Sequence, residues 1–183
     1  MSRRLETLSL WLLGVTVLVI LWGAVVRVTG SGAGCADHWP LCNGEFVPRA
    51  RSIETVIEFT HRLTSSLCGL LSIAVCWVAW RQSSRGSPLR RAAVAQLALM
   101  LFEGAIGALL VKKGLVAKNT SEARAFVVGL HLANTFLLLG AQLLTWHFAR
   151  GGAQLQLRAR PWVTALLFTL LSLLVLVGAS GAV

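Results

Sequence analysis

The sequence predicts an all-α integral membrane fold, a four-helix transmembrane bundle plus a fifth span, on three observations. Of its 183 residues, 56% are apolar and only 13% are charged. The apolar residues fall in runs longer than a soluble core helix needs, and the basic residues gather between those runs. A hydrocarbon core of roughly 30 Å takes about 20 residues of helix. Helices are the natural choice because every backbone polar group in lipid must be satisfied within the protein.

The runs cover residues 8–26, 63–80, 92–111, 126–148 and 162–183. The first follows Arg3 and Arg4, and Gly32-Ala-Gly-Cys35 has the outline of a lipoprotein cleavage box. It is nevertheless retained as a helix: about 19 apolar residues exceed a usual signal core, Arg27 separates it from Cys35, and further spans follow. A long loop over 27–54 leads to the second span, and Gly86-Ser-Pro88 marks the turn before the third. Gly69, Gly104, Gly107 and Ala108 are small enough to let helices approach closely. The end of the last run, Gly178-Ala-Ser-Gly-Ala-Val183, echoes Trp22-Gly-Ala-Val-Val-Arg27. Residues 1–150 are therefore expected to form an N-terminal four-helix half, and 151–183 to begin a second repeat in a truncated chain or fragment.

A net charge of +10 would suggest nucleic acid for a soluble protein. Here the arginines sit in short loops, so orientation is the better reading and no nucleic-acid partner is expected. Arg3, Arg4, Arg81, Arg85, Arg90, Arg91, Arg150, Arg158 and Arg160 fall on one side, with no acidic residue among them after Glu6. That side is expected to be cytoplasmic, with the N-terminus, leaving the 27–54 loop outside. Lys112, Lys113 and Lys118 count against this assignment.

Histidines are few enough to sort by depth. His61 precedes Arg81 by 20 residues and His131 precedes Arg150 by 19, which sets them about 30 Å and about 28 Å above the inner surface. Two helices running the same way thus offer one imidazole each at similar height, an arrangement that holds a haem from both faces. Two unrelated interfacial histidines are the plain alternative. His147 has no counterpart at its depth and reads as interfacial; His38 lies in the first loop and reads as structural.

Glu58 precedes His61 by three residues and shares its helix face. It is expected to face the same cavity, where it could orient the imidazole, move a proton or stabilise positive charge on a substrate. Alternatively it serves only the helix dipole. Cys35 and Cys42 bracket Ala-Asp-His-Trp-Pro-Leu on the outer side, as a structural disulfide or a redox pair. Cys68 and Cys76 read as small buried apolar residues. Glu103, about 18 Å above Arg91, is expected to be protonated and hydrogen-bonded to a neighbouring helix, or to belong to a proton path. Arg27, Arg62 and Arg124 ring the outer helix ends, for haem propionates or lipid headgroups.

Four stretches together resemble the haem A synthase family, which serves cytochrome oxidase assembly: Arg27-Val-Thr-Gly-Ser-Gly, Cys35-Ala-Asp-His-Trp-Pro-Leu-Cys42-Asn-Gly, Glu58-Phe-Thr-His61-Arg62 and His131-Leu-Ala-Asn134-Thr. The resemblance implies two similar four-helix halves, each with a histidine pair, of which this chain is the N-terminal half plus one helix. It implies a bacterial plasma membrane enzyme that oxidises a methyl group of haem O to a formyl group, with haem B as cofactor in the family. By the same resemblance Glu58 is catalytic, His61 and His131 are iron ligands, Arg62 and Asn134 help bind the cofactor, and Cys35 and Cys42 are the loop cysteine pair. Implied partners are haem O and its synthase, the cytochrome c oxidase assembly route, an electron donor and membrane lipid. The alternatives are a bis-histidine cytochrome b carrying electrons, a quinone-linked thiol oxidoreductase using Cys35 and Cys42, and a cofactor-free bundle.

Overall fold

The computed structural model describes residues 3–49, 52–153 and 161–180. Its helices are α1 (Arg3–Val28), α2 (Ile53–Gln82), α3 (Pro88–Lys112), α4 (Glu122–Ala149) and α5 (Pro161–Ser180), with one 3-10 turn at Ser31–Ala33. The first four are long and apolar enough to cross a membrane. α5, at 20 residues, has about the minimum spanning length. Arg51, Arg158, Arg160 and the last residues of the C-terminal echo, 181–183, lie outside the described residues.

Helix starts are written in serine. Ser52, Ser87 and Ser121 each precede a helix with extended backbone, and each hydroxyl accepts the N–H three residues on, from Thr55, Arg90 and Arg124. Such caps satisfy donors that the helix itself leaves open. Pro88 follows Ser87 at the first helical position, where its missing N–H costs nothing. The cap at Ser52 starts α2 ten residues before its apolar run, and so carries Glu58 and His61 into the helix.

The helices pack in a ring, α1 on α2, α2 on α3, α3 on α4 and α4 on α1, so α2 and α4 stand diagonally and α5 lies against α4. Large apolar side chains such as Leu18, Trp77, Leu101 and Leu137 face outward, whereas Thr16, Ser72, Gln96 and Gln142 are buried. Polar groups turned inward bond across helices: Gln142 Nε2 donates to Thr16 Oγ1 at 3.0 Å, and Gln96 Nε2 to the Ser72 carbonyl at 3.0 Å. Such bonds join helices where lipid supplies no hydrophobic drive for their association. An apolar core remains at one end, built by Leu5, Leu12, Val75, Ala79, Leu89, Ala93 and Ala149. At the same end the guanidinium groups of Arg81, Arg90 and Arg150 stack on Trp77, Trp80 and Trp146 at 5.7, 4.5 and 4.8 Å. Amphipathic rings paired with cations suit the membrane–water boundary.

Candidate functional site

At the opposite end, the α1–α2 loop is strapped onto the head of α2. Cys35 and Cys42 are joined by a disulfide, and Cys42 and Glu45 exchange backbone hydrogen bonds of 3.0 Å. Gly34 lies so close to the backbone of Glu54 and Thr55 that a Cβ there would collide with it. Its carbonyl accepts Thr55 Oγ1 at 2.8 Å and Asn43 Nδ2 at 3.2 Å.

Glu58 and Arg62 complete the strap. Glu58, 3% exposed, accepts the Cys35 N–H at 2.7 Å on Oε2 and Arg62 Nε at 3.0 Å on Oε1. Arg62 Nη2 also donates to Oε1. The remaining arm, Nη1, donates to the carbonyls of His38 and Leu41 at 2.6 and 2.7 Å. Both side chains are thus engaged with the cysteine loop. His38, half-exposed in that loop, has its Nδ1 3.6 Å from Asp37.

One turn below Glu58, His61 lies against Gly23 of α1, where a Cβ would stand 3.0 Å from Cε1 and 3.5 Å from Nε2. The neighbouring Trp22 ties the two helices together, its Nε1 donating to Thr60 Oγ1 at 3.1 Å. Across the bundle, His131 on α4 faces Gly107 of α3, at 4.0 Å from Cε1 to a Cβ placed there.

Thr16 supplies an independent depth mark, because it touches both Cys68 and Gln142. His61 lies seven residues before Cys68, and His131 eleven before Gln142, about 10 Å and about 16 Å along their helices. By this count the two histidines differ in height by about 6 Å, roughly one helical turn.

These residues fit a haem in three respects. The two imidazoles come from diagonal helices, neither makes an aligned side-chain hydrogen bond among the described residues, and the His61 ring lies where a Cβ on Gly23 would crowd it. Both Nδ1 atoms are buried without an aligned hydrogen-bond partner. One imidazole from each of two diagonal helices is the donor set of a bis-histidine haem. Among the described residues no group of three or more His, Cys, Asp or Glu gathers as a metal cage.

The other anticipated positions divide. Asn134, 3% exposed, turns toward α3, its Nδ2 donating to the Leu99 carbonyl at 3.0 Å and to Glu103 Oε2. Arg27 ends α1, and Arg124 sits in the first turn of α4. His147 reaches the Ala153 carbonyl at 3.0 Å beyond the far end of α4. Cys68 and Cys76 are buried free thiols.

Glu103 is hydrogen-bonded to Asn134 and Thr135 of the neighbouring helix α4, but its closeness to His131 is not legible from depth counting. The count sets Glu103 about 10 Å deeper than His131, yet its Oε1 lies 3.3 Å from His131 Nδ1. Arg91 and Arg150 are therefore not level markers. The usable signal was the triplet His131, Asn134 and Thr135 on one face of α4.

Fold and site define an integral membrane helical bundle whose diagonal helices each carry an inward histidine at the loop-bearing end. Residues 6–183 match the family model described as cytochrome oxidase assembly protein (COX15-CtaA), and the chain belongs to this family, which agrees with its resemblance to haem A synthases. The chain is 35% identical over 144 residues to the haem A synthase of Alkalihalophilus pseudofirmus, covering 79% of this chain and 46% of that protein. With the haem A synthase of Bacillus cereus (strain AH187) identity is 40% over 108 residues, or 57% of this chain and 35% of that one. A protohaem IX farnesyltransferase of Thermus thermophilus is 50% identical over 167 residues, 91% of this chain but 28% of that protein. The chain thus spans less than half the length of these relatives. No solved structure matches it.

Proposed function

We propose that the chain is the haem-binding N-terminal half of a haem A synthase, followed by the first helix of a second half, and that it holds haem O while a methyl group is oxidised to a formyl group. The observation that carries this reading is the pair of imidazoles on diagonal helices, each with a buried Nδ1 that has no aligned partner. His61 and His131 would hold the iron through Nε2, and the bound group would supply the redox centre. The chain's part is to fix its position and screen it from water with the disulfide loop.

Glu58 is the proposed catalytic carboxylate. It stands one turn above His61, with Oε1 held by Arg62 and Oε2 by the Cys35 N–H. From there it would stabilise positive charge developing on the substrate's edge. Arg62 and Asn134 would then act indirectly, Arg62 by holding Glu58 and the loop, Asn134 by holding the α3–α4 contact. The Cys35–Cys42 disulfide is read as the staple of the loop. The arginine–tryptophan end faces the cytoplasm of a bacterial cell and the loop faces outward, consistent with the basic residues of the α2–α3 turn.

Farnesyl transfer is less well served by these residues. Metal-bound diphosphate needs carboxylates around the cation, and the chain has one aspartate, Asp37, exposed in the loop. The match covers only 28% of the Thermus protein, so its name is not carried over to this chain. A cytochrome b carrying electrons is the second reading, favoured by the engagement of Glu58 with the loop.

Membranes containing the full chain, supplied with haem O and then extracted, test the proposal. Haem A should accumulate with the wild type and fall at least tenfold with Glu58→Gln. Haem O that binds and is recovered unchanged would refute the synthase reading and leave the electron carrier.

A further inference from the structure

A carboxyl group on α3 is closed in by the helix that carries His131. Glu103 Oε1 accepts from Thr135 Oγ1, and Oε2 accepts from Asn134 Nδ2. Asn134 is itself fixed by its 3.0 Å bond to the Leu99 carbonyl, and the single Thr135 hydroxyl proton, given to Glu103, has the His131 carbonyl at 2.9 Å as its alternative acceptor. His131, Asn134 and Thr135 occupy positions i, i+3 and i+4 and so share one helix face. Glu103 thereby reads three consecutive contacts on that face, the third being His131 Nδ1, 3.3 Å from Oε1.

That third contact is at ion-pair distance but not aligned as a hydrogen bond, and Nδ1 is otherwise buried without a partner. An imidazole that gives Nε2 to a metal must carry its remaining proton on Nδ1, which then needs an acceptor. Glu103 Oε1 is the acceptor in reach, and a small rotation of the ring would align it. His61 differs: its Nδ1 is also buried and unpartnered, but the carboxyl on its own helix, Glu58, serves Cys35 and Arg62.

We infer that Glu103 is a positioning residue for His131, accepting the Nδ1 proton and fixing the ring plane, so that the two iron ligands are electronically unequal. The inference rests on the histidine-pair reading above. A hydrogen bond to a carboxylate makes the imidazole a stronger donor, which favours the oxidised iron and lowers the reduction potential at the site.

The test uses the full chain in detergent, reconstituted with ferric haem, comparing wild type with Glu103→Gln, Glu103→Asp and Glu103→Leu. Haem affinity, the low-spin ferric EPR g-values and the midpoint potential are read, with helix content by circular dichroism as the folding control. Glu103→Leu should weaken haem binding about 10- to 100-fold. Glu103→Gln, of the same shape, should keep the haem but shift the g-values and raise the potential, and Glu103→Asp should restore part of both. A wild type that binds bis-histidine haem beside Glu103→Gln and Glu103→Leu variants with unchanged spectra, potential and affinity would overturn this inference alone. A folded wild type that binds no haem would overturn the histidine-pair reading and the inference with it. Should Glu103→Leu fail to fold, the Gln and Asp variants decide.

Discussion

Glu58 and Arg62 form a buried ion pair across one turn of α2, with side chains 4% and 13% exposed, and each also grips the cysteine loop. Breaking such a pair leaves a charge without its partner. Arg62→Ala is expected to destabilise the loop and helix head by about 3 kcal/mol. The strap should also loosen. Limited proteolysis within residues 36–49 should accelerate and the thermal midpoint should fall, whereas an unchanged cleavage rate would show that the pair does not hold the loop.

Removing the disulfide separates the staple from an electron relay. With Cys35→Ser and Cys42→Ser together, the unfolded chain regains loop entropy worth about 2 kcal/mol. His61 lies on α2 rather than in the loop, so haem binding should persist, and haem A formation should continue at a rate reduced by less than tenfold. Complete loss of conversion, with haem binding intact, would assign the cysteines a redox task.

Gly23 is expected to matter for the site more than for the fold. Alanine favours a helix over glycine by about 1 kcal/mol, yet its Cβ would stand 3.0 Å from His61 Cε1. Gly23→Ala should leave helix content and thermal midpoint close to wild type while lowering haem occupancy several-fold. Gly14, with nothing within 4 Å of a Cβ, is the control. Equal occupancy in the two variants would remove the glycine from the site.

Orientation can be read directly. A reporter active only in the cytoplasm should work when fused in the α2–α3 turn after Arg85, and fail when fused in the loop after Phe46. The opposite pattern would place the cysteine loop inside the cell.

Much of the architecture was legible from the sequence because lipid imposes it. Apolar runs had to become helices, and Gly86-Ser-Pro88 marked the turn before α3. Two kinds of information were not legible. Cross-helix register depends on tilt and on the height at which each helix begins, which is why counting from Arg91 separated Glu103 from His131. Side-chain direction depends on the loop as folded: the spacing of Glu58 and His61 pointed both to one cavity, but it did not reveal that Cys35 N–H and Arg62 engage the carboxyl group. Nor could the spacing of small residues reveal that Gly23 lies beside His61, since that contact belongs to the packing of α1 on α2.

The central claim, that His61 and His131 together bind a haem, is tested most directly by the absorption spectrum and extracted-haem content of the chain purified in detergent. A double variant, His61→Ala with His131→Ala, is the comparison. The account predicts a reduced low-spin haem spectrum in the wild type that is lost in the variant at equal helix content. A folded wild type without haem, or a spectrum that survives loss of both histidines, would contradict it.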